Sequence, residues 1–269
     1  MPELPEMETY RRLLSERILH QPISSIIVNR EKSLNVSTRV FTAYVQGQTI
    51  TRLARRGKHL LFYLSNGRVL LLHLMLGGWM YLGTEEDAPD RTKQIILSFE
   101  DQNLYFIGLR LGYLHLHDEE SLQEALHLLG PEVFLPPLSF ASFDQLIGNS
   151  RARIKSFFTD QKRMAGVGNL YADEICFSAQ LLPTRALNNL GESERQALHA
   201  SISSVFQAAI EKGGYMEDRL YKEDALTGGY RNHCRVYDRG GERCQRCGST
   251  IIQEELSKRK VFYCPGCQF

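Results

Sequence analysis

Four cysteines near the C-terminus, Cys244-Gln-Arg-Cys247 and Cys264-Pro-Gly-Cys267, restrict this chain more than any other feature. Each CxxC bends so that both sulfurs reach one ion, and two such knuckles complete a tetrahedron of thiolates. The sixteen intervening residues, GSTIIQEELSKRKVFY, have the length of a β-hairpin. Four thiolates leave no open position for water, so the pattern predicts one structural zinc ion rather than a catalytic one. Disulfides compete for the same residues, but they are rare in cytosolic proteins. Nothing at the start argues for export: residues 1–17 carry four Glu and no continuous apolar core. The longest apolar run, RVLLLHLMLGGWMYLG, is too short and interrupted to span a bilayer. Cys176 and Cys234 stand outside the pattern.

The hairpin carries Lys258, Arg259 and Lys260 in a row, a basic tip suited to phosphate, with Arg as a two-pronged donor. Charge along the chain agrees with an anionic ligand. Residues 1–70 carry a net +6, residues 71–150 a net −9 and residues 151–269 a net +4. Solvated faces would explain that distribution equally well.

With 269 residues the chain should form about two domains. LPEMETYRRLLSERI places Leu4, Met7, Leu14 and Ile18 at helical spacing and predicts an amphipathic helix over about 5–19. Seven short β-type runs follow: ISSIIVN, HLLFYLS, RVLLLHLM, WMYLG, QIILSFE, NLYFIGL and GYLHL. Strands without intervening helices predict an antiparallel sandwich or barrel. From residue 121 helical patterns take over: SLQEALHLL, a linker at LPPLSF, then helices over 142–213 ending near Gly213. TDQKRMAGVGNLYADEICFSAQLLP reads as helix, tight glycine turn, helix, with Asn169 at the N-terminus of the second helix. Free N–H groups there favour a phosphate.

Taken together, PELPEMET, RRGKHLLF, LGPE, DQKRMAGVGNLYADE and the paired CxxC finger resemble the formamidopyrimidine-DNA glycosylase/endonuclease VIII family in order and spacing, across essentially the whole chain. The resemblance implies an α+β protein. An N-terminal antiparallel β-sandwich with a leading helix (1–120) would be joined by a linker (121–150) to a helix–two-turn–helix domain (151–233) and a zinc finger (234–269). Damaged double-stranded DNA would bind in the cleft between the domains of a monomer. The setting would be cytoplasmic and nucleoid-associated, as in bacteria.

The resemblance also gives the opening MPELPEMET a chemical meaning. Pro2, after loss of Met1, matches the family's nucleophile. An α-amino group has pKa about 7.7–8.0, so roughly 10% is neutral at pH 7 without burial. Attack on the sugar C1′ would displace the base and leave a Schiff base, from which β,δ-elimination removes both phosphates. Glu3 matches the acid/base carboxylate, and Glu6 a further family carboxylate. Lys58 matches the lysine that approaches lesion and phosphate. Asn169 and Arg259 match the phosphate clamps, Arg259 also counting with Pro2, Glu3 and Lys58 in the catalytic set. Such clamps hold the nucleotide extruded from the duplex. His73 matches a histidine beside the void-filling loop.

The match breaks where relatives that excise oxidised guanine fill the vacated space with Met, Arg and Phe. Here HLMLGG puts Leu76 at the first position, beside Met75, and IGLRLG puts Leu109 and Leu111 at the other two. Arg110 recovers a guanidinium only in a shifted register. Leucine can wedge between bases but cannot donate to an orphaned cytosine, so opposite-base preference should be weak and the lesion range altered. Two other functions compete. One is a non-catalytic paralogue that binds damaged or kinked DNA; the other is a zinc-ribbon RNA or protein adaptor, for which no RRM-type aromatic signature is visible.

Overall fold

The computed structural model describes residues 1–269. The chain folds as two units: residues 1–127 with 212–229, and residues 128–211 with 230–269.

In the first unit, helix α1 (Leu4–Ile18) begins where the sequence supplies both a proline and a carboxylate. Pro5 lies in the first turn, where a missing N–H costs nothing, and the Glu6 carboxylate accepts the Glu3 N–H at 2.8 Å in a capping box. Met7, Tyr10, Leu14 and Ile18 enter the core. Strand β1 (Ser25–Val28), helix α2 (Thr38–Val45), β2 (Ile50–Arg56), β3 (His59–Leu64), β4 (Val69–His73), β5 (Trp79–Gly83), β6 (Lys93–Ser98), β7 (Asn103–Ile107), β8 (Tyr113–His117) and α3 (Glu119–Leu126) follow.

The strands form two antiparallel four-stranded sheets, ordered β1-β6-β7-β5 and β2-β3-β4-β8. Phe62, Leu70, Leu72 and Leu114 of one sheet share a core with Met80, Ile95, Leu97 and Phe106 of the other, the sandwich that alternating apolar residues demand. Eight strands form where seven are read from the sequence. The extra one, β2, has the composition ITRLARR, and its Arg55 is buried because Nε lies 3.3 Å from the buried Glu8 carboxylate of α1. Burial pushes the Glu8 carboxyl up, but Arg11, Arg55 and Arg12 outweigh it and hold the group below its usual range.

The second unit contains α4 (Phe140–Ile147), α5 (Ile154–Phe158), α6 (Asn169–Ser178), α7 (Glu192–Glu211) and a hairpin of β9 (Ile252–Leu256) and β10 (Arg259–Tyr263). The first helix of the glycine-turn motif differs from expectation: α5 ends at Phe158, and TDQKR lies in the connection rather than in a helix. Gln161 organises that connection, accepting the Gly166 N–H at 3.0 Å and donating to the Val167 carbonyl at 2.7 Å. Ser257 and Lys258 take positive φ of 52° and 64°, the conformation that a two-residue hairpin turn requires. No helix is long and apolar enough to cross a membrane.

Candidate functional site

Chain ends are ordinarily solvated, yet residues 2–10 are all buried in the first unit. Pro2 therefore lies under cover at the start of α1, with Glu3 and Glu6 buried beside it in sequence. Glu6 also reaches a distant stretch of the chain, its Oε1 accepting the Tyr215 N–H at 2.8 Å. Gly214 lies against the same carboxylate, since a Cβ there would stand 2.6 Å from Oε1. One side chain thus joins the head of α1 to residues 212–229. That segment is fastened elsewhere too. Leu220 is fully buried and its carbonyl accepts the Leu82 N–H at 2.6 Å. The buried Asp224 carboxylate accepts the N–H groups of Leu220, Leu226 and Thr227 at 2.9, 2.9 and 3.0 Å.

Lys58 occupies the turn joining β2 to β3, where Gly57 takes a φ of +56°, and it is only 5% exposed. A solvated strand-end lysine would not be buried in this way. Packing of α1 on β2 and β3, pinned by the Glu8–Arg55 pair, sets where this turn lies in the unit. Next to it, His59 bonds the Tyr113 hydroxyl through Nε2 at 2.9 Å and meets the His73 ring edge-on at 4.6 Å. Burial, with help from the charges of Arg56 and Lys58, lowers the His59 pKa to about 4; burial, His59 and Lys58 lower that of His73 to about 3. Both imidazoles are neutral at physiological pH, and His73 Nδ1 accepts the Met75 N–H at 3.0 Å.

His73 leads into the loop that carries Leu76, which is 65% exposed. The loop before β8 lies against it: a Cβ on Gly108 would stand 2.1 Å from the Gly77 carbonyl oxygen, and one on Gly112 2.6 Å from that of His73. Leu111 is 62% exposed, so two leucines project from adjacent loops. Leu109 does not join them. Its side chain is 0% exposed in the core, its N–H donates to Gln94 Oε1 at 3.0 Å, and its carbonyl accepts from Ser33 Oγ at 3.2 Å. Leu109 thus lies inside the loop, and Arg110 is its exposed neighbour. Arg110, Leu76, Trp79, Arg91 and Asp218 border an open depression of about 590 Å³.

In the second unit Asn169 occupies the first position of α6, after Gly168. Its Oδ1 is buried without a hydrogen-bond partner. The position of Asn169 at the positive end of the α6 dipole suits an anion. Arg259 opens β10 and is exposed, as a phosphate contact requires.

The thiolate ligand atoms of Cys244, Cys247, Cys264 and Cys267 all lie within 4.8 Å of one another, with Cys244–Cys267 at 3.9 Å and Cys247–Cys264 at 3.4 Å. Tetrahedral zinc with bonds of about 2.3 Å places sulfurs roughly 3.8 Å apart, so the residues fit one structural zinc. Cys176 and Cys234 are buried outside the set. Sequence reasoning missed Asp224, Gln94 and Gln161, polar side chains whose partners are loop backbones; Gln161 alone had a signal, its place in DQKRM.

Three family models match the chain: the formamidopyrimidine-DNA glycosylase N-terminal domain over residues 1–113, the H2TH domain of the same proteins over 129–219, and a zinc finger found in FPG and IleRS over 241–268. The formamidopyrimidine-DNA glycosylase of Desulfitobacterium hafniense is 33% identical over 272 residues, covering 100% of both chains. That of Listeria innocua is 35% identical over 274 residues, again with 100% of both covered. A Lactococcus lactis FPG mutant solved with Fapy-dG DNA superposes with a TM-score of 0.91 at 32% identity, covering 99% of each chain. The Lactococcus lactis Fpg complex with DNA containing an abasic site gives the same TM-score, identity and coverage.

Proposed function

Since the chain belongs to the formamidopyrimidine-DNA glycosylase family, we propose that it is a bifunctional DNA glycosylase and abasic-site lyase of base excision repair. Its nucleophile is the secondary amine of Pro2, acting as a monomer on damaged double-stranded DNA. Removal of Met1 frees that amine. Its lone pair attacks C1′ of the damaged nucleotide, the glycosidic bond breaks toward the base, and the proton that the leaving base needs comes from the surrounding acid/base groups. The amine gives up its proton, the C1′–O4′ bond breaks with its electron pair going to O4′, which Glu3 protonates, and the ring-opened sugar is left as a C1′ iminium that withdraws electrons from C2′. Loss of the C2′ proton expels the 3′ phosphate, and a second elimination expels the 5′ phosphate. Glu3 serves as the acid/base at the sugar, and Glu6 holds the backbone around it. Lys58 meets the lesion strand as a buried cation. Asn169 and Arg259 hold phosphates and keep the nucleotide extruded. Zinc supplies only the fold of the finger that carries Arg259.

One observation carries this reading: Pro2, Glu3 and Lys58 are buried although nothing in packing a β-sandwich requires a proline terminus, a carboxylate and a lysine inside it. Burying ionisable groups is costly unless they are paired or hydrogen-bonded, and such groups gather at functional sites.

The lesion range differs from that of relatives with Met, Arg and Phe. Leu76 and Leu111 are the wedge, Leu109 reaches no base, and Arg110 on an exposed loop is the remaining donor to the orphaned partner. Opposite-base preference is consequently weak. The test is a nicking assay on duplexes carrying one ring-opened guanine, one 8-oxoguanine or one oxidised pyrimidine, each opposite all four bases. Cleavage to phosphate-ended products, lost in Glu3→Gln, is expected, with rates that vary little with the opposite base. Tight binding to every damaged duplex without cleavage would instead establish a non-catalytic damage binder. A strong preference for cytosine would overturn the account of Leu109.

A further inference from the structure

Helix α6 carries two consecutive carboxylates, Asp173 and Glu174, that the proposed chemistry does not use, both buried. Glu174 Oε1 accepts the N–H groups of Arg235, Val236 and Tyr237 at 3.1, 2.9 and 2.8 Å, and Oε2 accepts that of Arg235 at 2.8 Å. It caps the strand of chain that leads into the finger. Asp173 acts at the other side of the finger. It accepts Lys155 Nζ at 2.8 and 2.7 Å and the Phe262 N–H at 3.0 Å. Lys155 Nζ then donates to the Lys260 carbonyl at 2.6 Å. Strand β10 is therefore held at residues 260 and 262, directly beside Arg259. Lys155 and Arg259 also border one recess of about 210 Å³, with Ser156 and Thr159 opposite Leu256 and Ser257.

This is an expensive way to attach a hairpin. Desolvating a buried ion pair costs as much as its attraction returns, and an apolar pair of similar volume often packs as well. What an ion pair with two directional bonds to the backbone of β10 adds is a fixed register. Resting on the reading of Asn169 and Arg259 as phosphate contacts, we infer that Lys155, Asp173 and Glu174 are positioning residues. They lock β10 to α6 so that Arg259 stands at a set distance from Asn169, making the two a rigid two-point clamp on the backbone of one DNA strand.

The test compares Lys155→Met, Lys155→Arg, the apolar pair Lys155→Met/Asp173→Leu, Arg259→Ala and the combination Lys155→Met/Arg259→Ala. Binding to a duplex with a tetrahydrofuran abasic analogue is measured across a salt series, with zinc content and melting temperature recorded for each protein. Arg259→Ala is expected to reduce the salt slope by about 1 and to weaken binding to damaged and undamaged duplex alike. The apolar pair should keep zinc and melting temperature near wild type yet lose the same slope. Adding Arg259→Ala to Lys155→Met should cost nothing more, because both remove one contact. Lys155→Arg should recover part of the slope. Full additivity, or an apolar pair with wild-type slope and affinity, would overturn the inference and leave these residues as packing alone. An Arg259→Ala protein with unchanged slope would instead overturn the clamp reading on which it rests.

Discussion

Acidification should unload the histidine pair beside Lys58. His59 and His73 have folded pKa values of about 4 and about 3, against roughly 6.5 in an unfolded chain. Both are depressed, so the unfolded chain binds more protons at mildly acid pH. The stability tied to their neutral forms is complete above about pH 6.5 and drains as pH falls through the window below it. At pH 5 each unfolded imidazole is largely protonated and each folded one largely neutral, so the fall from about pH 6.5 costs about 2 kcal/mol per group. Together the loss is roughly 3–4 kcal/mol, trimmed from the sum because His73 is only half-buried. Urea unfolding at pH 7.5 and 5.0 measures it. The double variant His59→Gln/His73→Gln serves as the reference, and cancels the contributions of Glu8 and of His115, whose pKa burial lowers to about 4. Wild type should lose roughly 3–4 kcal/mol more than the double variant over this interval. An equal loss in both proteins would refute the burial argument.

Leu220→Ala removes a fully buried side chain that holds residues 212–229 to the first unit, and should cost about 2–5 kcal/mol in urea unfolding. Faster protease cleavage within that segment should accompany it. Gly108→Ala forces a Cβ to 2.1 Å from the Gly77 carbonyl at a φ of +71°. It should destabilise by more than about 1 kcal/mol, whereas Gly67→Ala, with open space around it at a φ of +79°, carries only the backbone strain. Zinc removal by a chelator should release one ion per chain, unfold the finger around Val236, Ile251 and Phe262, and abolish binding to abasic-site duplex. Binding that survives complete loss of zinc would separate the finger from DNA contact.

What the sequence makes legible is what local chemistry encodes. The zinc ligands are four residues at fixed spacing with no other use, and their hairpin forms as the sixteen-residue interval predicts. Helix α1 is visible because its apolar period and its start signals agree. Strand β2 is hidden because its arginines look solvated, whereas Glu8, forty-seven residues away, draws the Arg55 side chain out of solvent. Leu109 is placed by bonds that its local sequence does not announce. Its alignment with a DNA-contacting arginine assigns it a surface role, while Gln94 and Ser33 turn its backbone so that the side chain points inward. The bond between Glu6 and Tyr215 spans 209 residues, and no local pattern announces it. Side-chain bonds to distant loop backbones leave the faintest trace in a sequence, since any carboxylate or amide can make them.

Whether Pro2 is the nucleophile is tested most directly by borohydride reduction on a duplex with one abasic site. Purified protein, with loss of Met1 verified by mass, is mixed with the duplex and reductant, and the adduct is mapped by peptide mass spectrometry beside the Pro2→Gly variant. A stable covalent adduct on the N-terminal Pro2, strongly reduced in the variant, is the predicted result. An adduct on Lys58, or none despite removal of Met1 and tight binding to the same duplex, would contradict it.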